Sequence, residues 1–263
     1  MPQIPRYNRD MNWASQRRFL YIMGIILFFV ALASIPLTMW LYEPATCFDD
    51  IQNQTETAID RGGPCKLLDA RSLIPRSILW TRPFLARKGV HSAVAYIENP
   101  NQDAGVKEAP YRIRIYDDKN VLVGEREGIT PVMPGTITPV FEGEMMSGER
   151  LATRAFLEFI APLVWERLRD HSQNIKISDR EVKDIESAPQ VSAVVTNDDV
   201  INFRDVEIVA VIFDTAGNAF AASRTVLPRL DARDVVPITF TWSQPFIRRV
   251  SRVDIMVVVP PAD

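Results

Sequence analysis

The fold is decided by a ten-residue stretch, YRIRIYDDKN (residues 111–120). Up to Tyr116, residues of two kinds alternate: Tyr111, Ile113 and Ile115 on one side, Arg112, Arg114 and Tyr116 on the other. A half-buried β-strand shows this period of two. The residues that follow, 117–120, are typical of a tight turn, because Asp caps turns and Asn accepts a positive φ. The stretch therefore predicts a strand that runs into a β-hairpin.

A related stretch, VEIVAVIFDTAGN (residues 206–218), has the same order of strand, aromatic residue, Asp and turn. Ile115-Tyr116-Asp117 corresponds to Ile212-Phe213-Asp214 at an offset of 97, and Ser92-Ala93-Val94 to Ser192-Ala193-Val194 at an offset of 100. Two further pairs, Phe141 with Phe240 and Arg154 with Arg252, have offsets of 99 and 98. Self-similarity at nearly one offset indicates a duplicated unit of about 95 residues, a typical size for a β-sandwich domain.

These patterns predict an all-β fold: two tandem immunoglobulin-like β-sandwich domains behind one N-terminal transmembrane helix. We expect the first sandwich at residues 71–162, a linker at 163–173 and the second sandwich at 174–263. One segment, 148–170, carries apolar residues at helical spacing. Its counterpart RVDIMVVVP (252–260) reads as a strand, so we expect a strand over Ala155–Ile160 as well.

An apolar run, FLYIMGIILFFVALASIPLTMWLY (residues 19–42), contains no charged residue. As a helix it would reach about 36 Å, longer than the ~30 Å hydrocarbon core of a bilayer. Four arginines precede it and acids follow it, so the positive-inside rule predicts residues 1–18 in the cytoplasm and the remainder outside the cell. The alternative is a cleaved signal peptide, for which Ala31-Leu32-Ala33 supplies a cleavage pattern.

Both cysteines lie soon after this run, in CFDDIQNQTETAIDRGGPC (residues 47–65). Outside the cell, a disulfide between Cys47 and Cys65 is the one possible pairing. Within this acidic segment, 43–70, the side chains of Asp49, Asn53, Glu56 and Asp60 offer hard oxygen ligands that suit calcium, although their spacing is not that of an EF-hand. The alternative is a solvated polar loop closed by the disulfide, without an ion.

The cysteine segment resembles a motif of secreted and surface proteins, many of them bacterial, with the form C-x-D-G-x-x-N-x-x-E-x-x-x-D-C-G-G-x-C-x-x-C. The resemblance implies an extracellular location and no catalysis. Three positions depart from the motif, since Asp50, Arg61 and Leu68 replace one Gly and two Cys. The matching residues are Cys47, Asp49, Asn53, Glu56, Asp60, Gly62, Gly63 and Cys65.

The body of the chain resembles the immunoglobulin-like domains called FxLYD, on Phe203 with Phe213-Asp214 and on Tyr116-Asp117. Tandem modules of this type behind one membrane span resemble uncharacterised bacterial envelope proteins. This resemblance implies sandwich domains and supplies no enzymatic residues.

The net charge of the chain and its lack of catalytic motifs limit the classes of function that we expect. Removing the four arginines and one acid of residues 1–18 from the chain's 30 basic and 33 acidic residues leaves 26 and 32, a net charge of −6. This acidic body gives no reason to expect nucleic acid as a partner. Neither histidine, His91 nor His171, has a Cys neighbour or a His-x-x-x-His partner, and no nucleophile elbow or phosphate-binding loop is present. We therefore expect a protein that is not an enzyme.

Two binding functions follow from these expectations. The first is a single-pass envelope protein whose sandwiches bind other envelope proteins in a surface, secretion or pilus-type assembly. The second is a module that binds a small ligand, lipid or glycan between its two domains, which an excess of aromatic residues in an inter-domain cleft would favour. A surface hydrolase is disfavoured by the scarcity of histidines and catalytic motifs.

Overall fold

The computed structural model describes residues 13–41, 47–53 and 55–260. The chain divides after residue 46 into two compact units. In its described part, the N-terminal unit is one helix and the C-terminal unit consists mostly of antiparallel β-sheets. The expected fold class, all-β behind one N-terminal apolar helix, is confirmed.

The helix, α1, spans Trp13–Leu41. Its residues 15–38 form a stretch of 24 residues that is long and apolar enough to cross a membrane, a property that membrane anchors and signal sequences share. The hydroxyls of Ser34 and Thr38 donate within the helix, to Ala31 O (2.7 Å) and Ile35 O (2.8 Å). The helix can therefore lie in apolar surroundings without leaving these two hydroxyls unsatisfied.

The first sandwich packs two antiparallel sheets around one apolar core. One sheet has the strand order β1-β2-β5 and the other β4-β3-β6, with the short strand β7 beside the start of β3. The strands are β1 Ser77–Arg87, β2 Val90–Asn99, β3 Ala104–Tyr116, β4 Leu122–Val132, β5 Thr136–Met146, β6 Arg154–Phe159 and β7 Glu166–Arg167.

The second sandwich has the same strand order in both of its sheets, β12-β9-β8 and β11-β10-β13. A single 3₁₀ turn precedes the first strand of each sandwich, Ala70–Ser72 before β1 and Ser172–Asn174 before β8. The strands are β8 Ile175–Lys183, β9 Gln190–Asn197, β10 Phe203–Phe213, β11 Ala219–Leu230, β12 Val235–Thr241 and β13 Arg252–Val258.

The strand predicted from YRIRIYDDKN is β3, and its alternation is confirmed. Tyr111, Ile113 and Ile115 are buried in the first core. Arg112 and Arg114 lie on the opposite face of the sheet, where they form ion pairs with Glu125, Glu127 and Glu158. The hairpin that follows contains Asn120 with a φ of 63°. The segment with helical spacing contains strand β6, so tertiary packing decides its structure over local spacing, as the counterpart β13 indicated.

The two sandwiches pack face to face, and their four sheets form a four-layer stack. On β2, Ala93, Ala95 and Ile97 face the first core, whereas Val94 and Tyr96 face the second sandwich. From Val206 onward, the even-numbered apolar residues of β10 face the second core and the odd-numbered ones face the first sandwich. We call this contact the seam; it comprises Trp80, Phe84, Val94, Tyr96, Phe141, Val209, Val211, Phe213, Ala219, Ala222 and Met256.

Two segments contain more regular structure than the sequence predicts. The expected linker, 163–173, contains β7 and places Trp165 in the first core. The cysteine segment continues into the same sandwich, because Leu67 bridges to Glu166 and Leu68 is buried in the first core. The first sandwich therefore extends on both sides of the expected range 71–162.

Candidate functional site

The disulfide joins Cys47 to Cys65, as the sequence predicts, with their Cα atoms 5.5 Å apart. The chain turns back to Cys65 through two glycines with positive φ, Gly62 (77°) and Gly63 (52°). A side chain at either position would collide with Thr57 or Thr55. These two glycines are therefore needed for the local path of the loop.

The structure brings the four residues predicted to hold calcium into one hydrogen-bonded network. Asp60 accepts the backbone N–H groups of Asp49 (3.2 Å) and Asp50 (3.1 Å) through its two carboxylate oxygens. Asp49 accepts the amide of Asn53 (3.0 Å), and Glu56 accepts the backbone N–H of Asn53 (3.3 Å). The carboxylates thus already have donors within the loop, and calcium binding stays a prediction.

A tighter group of potential ligands consists of Cys47, Glu56 and Cys65, all within 4.8 Å of one another. Both sulfurs are engaged in the disulfide, so neither can supply the thiolate that a soft metal requires. Glu56 is buried, and its Oε1 lies 3.1 Å from Cys65 Sγ, a contact and not a hydrogen bond because a disulfide sulfur carries no proton. This group is a packed part of the loop.

The loop is fixed to the first sandwich by Arg167 of β7. The Arg167 guanidinium donates to Gly63 O (2.6 Å) and Cys65 O (3.3 Å), and it forms an ion pair with Asp103 (3.0 Å). Backbone bonds from Leu68 N to Trp165 O and from Arg167 N to Lys66 O, each 2.8 Å, continue the contact. Residues 66–68 therefore lie beside β7 as an added length of strand.

The recurring acids Asp117 and Asp214 make the same contacts in both sandwiches. Asp117 accepts the N–H groups of residues 119 and 121, and its second oxygen accepts Arg150 at 2.6 Å. Asp214 accepts those of residues 216 and 218, and Arg248 at 2.8 Å. The backbone N–H bonds, followed by the arginine, lower the pKa of each carboxyl. Both acids cap turns, as the sequence predicts for the Asp that follows each of these strands.

The two histidines occupy different environments. His91 is fully buried; its Nε2 accepts the N–H of Ala152 (3.1 Å), so Nδ1 carries the proton and donates to Ser147 Oγ (2.9 Å). Burial lowers the pKa of His91, so the neutral ring is favoured. The other histidine, His171, lies 3.1 Å from Asp199, and the Asn174 amide followed by His171 lowers the pKa of Asp199 to about 2. Both histidines fasten loops.

Sequence reasoning missed a pair of buried asparagines, Asn99 and Asn197. Asn99 donates to the carbonyls of Ala104 and Met133, and Asn197 to those of Ile201 and Asp231. Each Oδ1 accepts the N–H of the residue two positions later. The signal was present, because both asparagines end a strand and lie 98 positions apart, yet polar residues at strand ends also occur in exposed turns.

Polar groups border the apolar seam. Tyr111 donates to Glu142 (2.6 Å), and Arg224 of β11 lies 3.6 Å from Glu207 and donates to the carbonyl of Phe141 on β5 (3.4 Å). Burial raises the pKa of Glu207, partly offset by Arg224. Of these contacts, the bond from Arg224 to the Phe141 carbonyl joins the two sandwiches, so a polar contact adds to the apolar packing of the seam.

Three open grooves run along the seam. The first, of about 750 Å³, lies between β8 and β13 and the ends of β2 and β5. The second, of about 510 Å³, is lined by Phe84, Phe141, Trp242 and Arg224. The third, of about 810 Å³, is lined by Phe156 and Phe220 among others. The residues at the centre of the seam are buried, so these grooves are openings toward the region between the sandwiches.

Comparisons with known proteins identify no relative. No protein-family model matches the chain, and no curated protein matches it. Among solved structures, red sea bream transglutaminase is 10% identical to this chain; the match covers 72% of this chain and 32% of that one, with a TM-score of 0.23. A β-glucuronidase of Bacteroides uniformis is 15% identical; the match covers 67% of this chain and 22% of that one, with a TM-score of 0.19. A β-glucuronidase from glycoside hydrolase family 2 is 11% identical; the match covers 84% of this chain and 25% of that one, with a TM-score of 0.22. The chain spans a third or less of the length of these proteins, and TM-scores this low carry no conclusion about fold or activity.

Proposed function

We propose that this chain is a single-pass, non-enzymatic envelope protein whose β-sandwiches bind protein partners outside the cell, in a surface, secretion or pilus-type assembly. In this proposal α1 is a retained membrane anchor, residues 1–18 are cytoplasmic, and the sandwiches arose by duplication of one FxLYD-like unit. The anchor is supported by the length and apolar surface of α1, and the orientation by the arginines before it. The duplication is supported by the matched contacts of Asp117 with Asp214 and of Asn99 with Asn197.

The observation that carries the binding function is the number of open sheet edges on one stacked body. Each of the four sheets consists of three main strands, so each presents two edge strands among the described residues. Edge strands carry backbone N–H and C=O groups that another chain can pair with. The seam adds a large apolar contact that favours one relative position of the sandwiches. Such a body suits the binding of protein segments to a fixed surface.

The topology is tested by labelling intact cells with a maleimide that cannot cross membranes. We expect Phe156→Cys, on the exposed face of β6, to be labelled in whole cells and Asn8→Cys only after permeabilisation. Labelling of Asn8→Cys alone in whole cells would reverse the proposed orientation.

Partner binding is tested by placing a photo-crosslinking residue at exposed positions of three strands, Phe156, Val226 and Val235, in the full chain in its native envelope. We expect discrete protein adducts from at least one position. If all three positions yield only lipid adducts or none, the proposed binding function is wrong.

A second candidate function, binding of a small ligand, lipid or glycan, is favoured by the second groove. Phe84, Phe141 and Trp242 line it, which is the aromatic enrichment that this alternative requires, and the guanidinium of Arg224 lies 5.3 Å from the Phe141 ring centroid. A small molecule that co-purifies with the full chain and is lost in Trp242→Ala would favour this function over protein binding.

A further inference from the structure

The two sandwiches share one strand order, yet their corresponding sides differ. In the first sandwich, β1 packs against β6 and closes the side between the two sheets. There the Arg76 guanidinium lies 4.4 Å from the ring centroid of Phe159. Beyond β6, residues 66–68 run beside β7 and place Leu68 in the core. The first sandwich thus covers this side with its own chain.

In the second sandwich, the corresponding side between β8 and β13 is open. Within the described residues, β8 makes no comparable approach to β13, and the groove of about 750 Å³ lies between them. Ile177 of β8 and Ile255 and Val257 of β13 line this groove and pack against the second core. The groove therefore gives access to the inner, apolar side of both edge strands.

Backbone groups at this groove define what can fill it. Among the described strands β13 pairs with β10 alone, so alternate N–H and C=O groups of β13 are directed away from its sheet. An extended peptide satisfies such a row of donors and acceptors and extends about 3.3 Å per residue along it, whereas a helix uses its backbone groups internally except at its two ends. The strand period of two then directs every second side chain toward Ile177 and Ile255.

The first sandwich provides an internal example of this occupant. The residues beside β7 are an extended segment, held by backbone hydrogen bonds of 2.8 Å, with one leucine inserted into the core. We infer that the groove between β8 and β13 binds an extended peptide segment of a partner protein, added as a strand to β13, with apolar side chains at alternate positions. This inference rests on the proposed protein-binding function and assigns it to one edge.

The full chain in lipid nanodiscs provides the test, with a phage-displayed library of ten-residue peptides as the probe. We expect enriched peptides to carry apolar residues at alternate positions. Bound as synthetic peptides, they should slow amide hydrogen exchange in β13. Their affinity should fall at least tenfold in Ile177→Lys, because a charged side chain would then lie in the apolar groove.

The matched control is Ile78→Lys. Ile78 pairs with Ile97 on β2 as Ile177 pairs with Val195 on β9, but it lies on the closed side of the first sandwich. We expect this variant to bind the peptides as the native chain does. The exchange measurement needs no variant, so the test holds even if Ile177→Lys does not fold.

Three results would overturn the inference: no enriched peptide, equal binding to Ile177→Lys that is folded, or protection that falls outside β13 and β8. Protein adducts from the crosslinking positions on β6, β11 or β12 together with any of these results would leave the proposed function standing and move the binding surface elsewhere. Peptide binding at β13 without any protein adduct in cells would instead contradict the proposed function.

Discussion

A buried hydroxyl without a partner marks the seam at the scale of single residues. Tyr96 is 5% exposed, its ring centroid lies 4.1 Å from that of Trp80, and its hydroxyl has no hydrogen-bond partner within the described residues. Burial raises the pKa of this phenol, so it stays neutral at physiological pH. The ring contributes apolar packing, whereas the hydroxyl carries an uncompensated desolvation cost.

We expect Tyr96→Phe to stabilise the protein by about 1 kcal/mol, since an unsatisfied buried hydroxyl costs roughly 1–3 kcal/mol. Tyr111→Phe is the matched control with the opposite sign, because Tyr111 donates to Glu142 at 2.6 Å. Thermal unfolding of both variants measures the effect. Destabilisation by Tyr96→Phe would mean that the hydroxyl has a partner in solution.

A second residue-scale prediction concerns His91. Its neutral ring accepts the N–H of Ala152, and burial holds its pKa below the ordinary value near 6.5. Since the native state binds the proton less readily than the unfolded state, the contribution of His91 to stability is full above pH ~6.5 and is lost as the pH falls toward its lowered pKa. We expect the free energy of unfolding to decrease over this acidic range, by at most about 1.4 kcal/mol per pH unit.

Denaturant unfolding at a series of pH values checks this expectation. The control is His91→Gln, whose amide can accept from Ala152 and donate to Ser147 without titrating. An equally steep decrease in His91→Gln would assign the pH dependence to another group.

The predicted calcium residues can be tested through Asp60. Its carboxylate accepts the N–H groups of Asp49 and Asp50, so Asp60→Ala removes two bonds that hold the start of the loop against its end. If these hydrogen bonds alone hold the loop, Asp60→Ala should speed amide exchange in the loop by the same factor in EGTA and in calcium. A loss that occurs only with calcium present would show that Asp60 acts through an ion.

At the scale of elements, the hairpin turns after β3 and β10 are stabilised alike. We expect Asp117→Ala and Asp214→Ala each to cost about 1–2 kcal/mol, because each leaves two turn N–H groups and one arginine without an acceptor. The two losses should add within about 0.5 kcal/mol in the double variant, since the turns belong to different sandwiches. Denaturant unfolding of all three variants measures this, and strong non-additivity would contradict the independence of the turns.

The same elements show what the sequence could predict. Strands with a clear period of two, such as β3, and turns with Asp and Asn were identified because their signal is local. Residues 66–68 and β7 were missed, since each is very short and pairs with a distant part of the chain. Residues 66–68 pair with β7, about a hundred positions away, and β7 also pairs with the start of β3. The oxygen-bearing side chains of the cysteine loop lie in one hydrogen-bonded network, but their use as acceptors depends on the backbone path, which the sequence does not show.

At the scale of the whole molecule, the seam makes the two sandwiches one cooperative body. We expect a single unfolding transition in calorimetry of the native chain's C-terminal unit. Val211→Asp, which places a charge in the fully buried centre of the seam, should separate the unfolding into two transitions. Val226→Asp on the exposed face of β11 is the control and should keep one transition. Two transitions in the native chain would contradict the cooperative role of the seam.

The sequence predicts only part of the seam. The β-branched run Val206–Phe213 is typical of a strand covered on both faces, and β10 is continuously buried from Ile208 onward. The run HSAVAYI in β2 is buried on both faces as well, but its small residues gave a weaker apolar pattern. Which sheet covers each outer face could not be derived, because face-to-face packing leaves no trace in local spacing.

The pairing of residues 66–68 with β7 has a consequence for how the protein is made. Because synthesis runs from the N-terminus, Leu68 can pair only after Trp165 and Arg167 have left the ribosome. Val94 can pack against Val209 only after a longer delay. At a synthesis rate of 5–20 residues per second, this delay lasts roughly 5–20 seconds, and the apolar side chains of the first sandwich remain exposed to solvent during it. We therefore expect a chaperone that binds unfolded chains to bind the nascent chain until β10 has been synthesised and covers the apolar surface of β2.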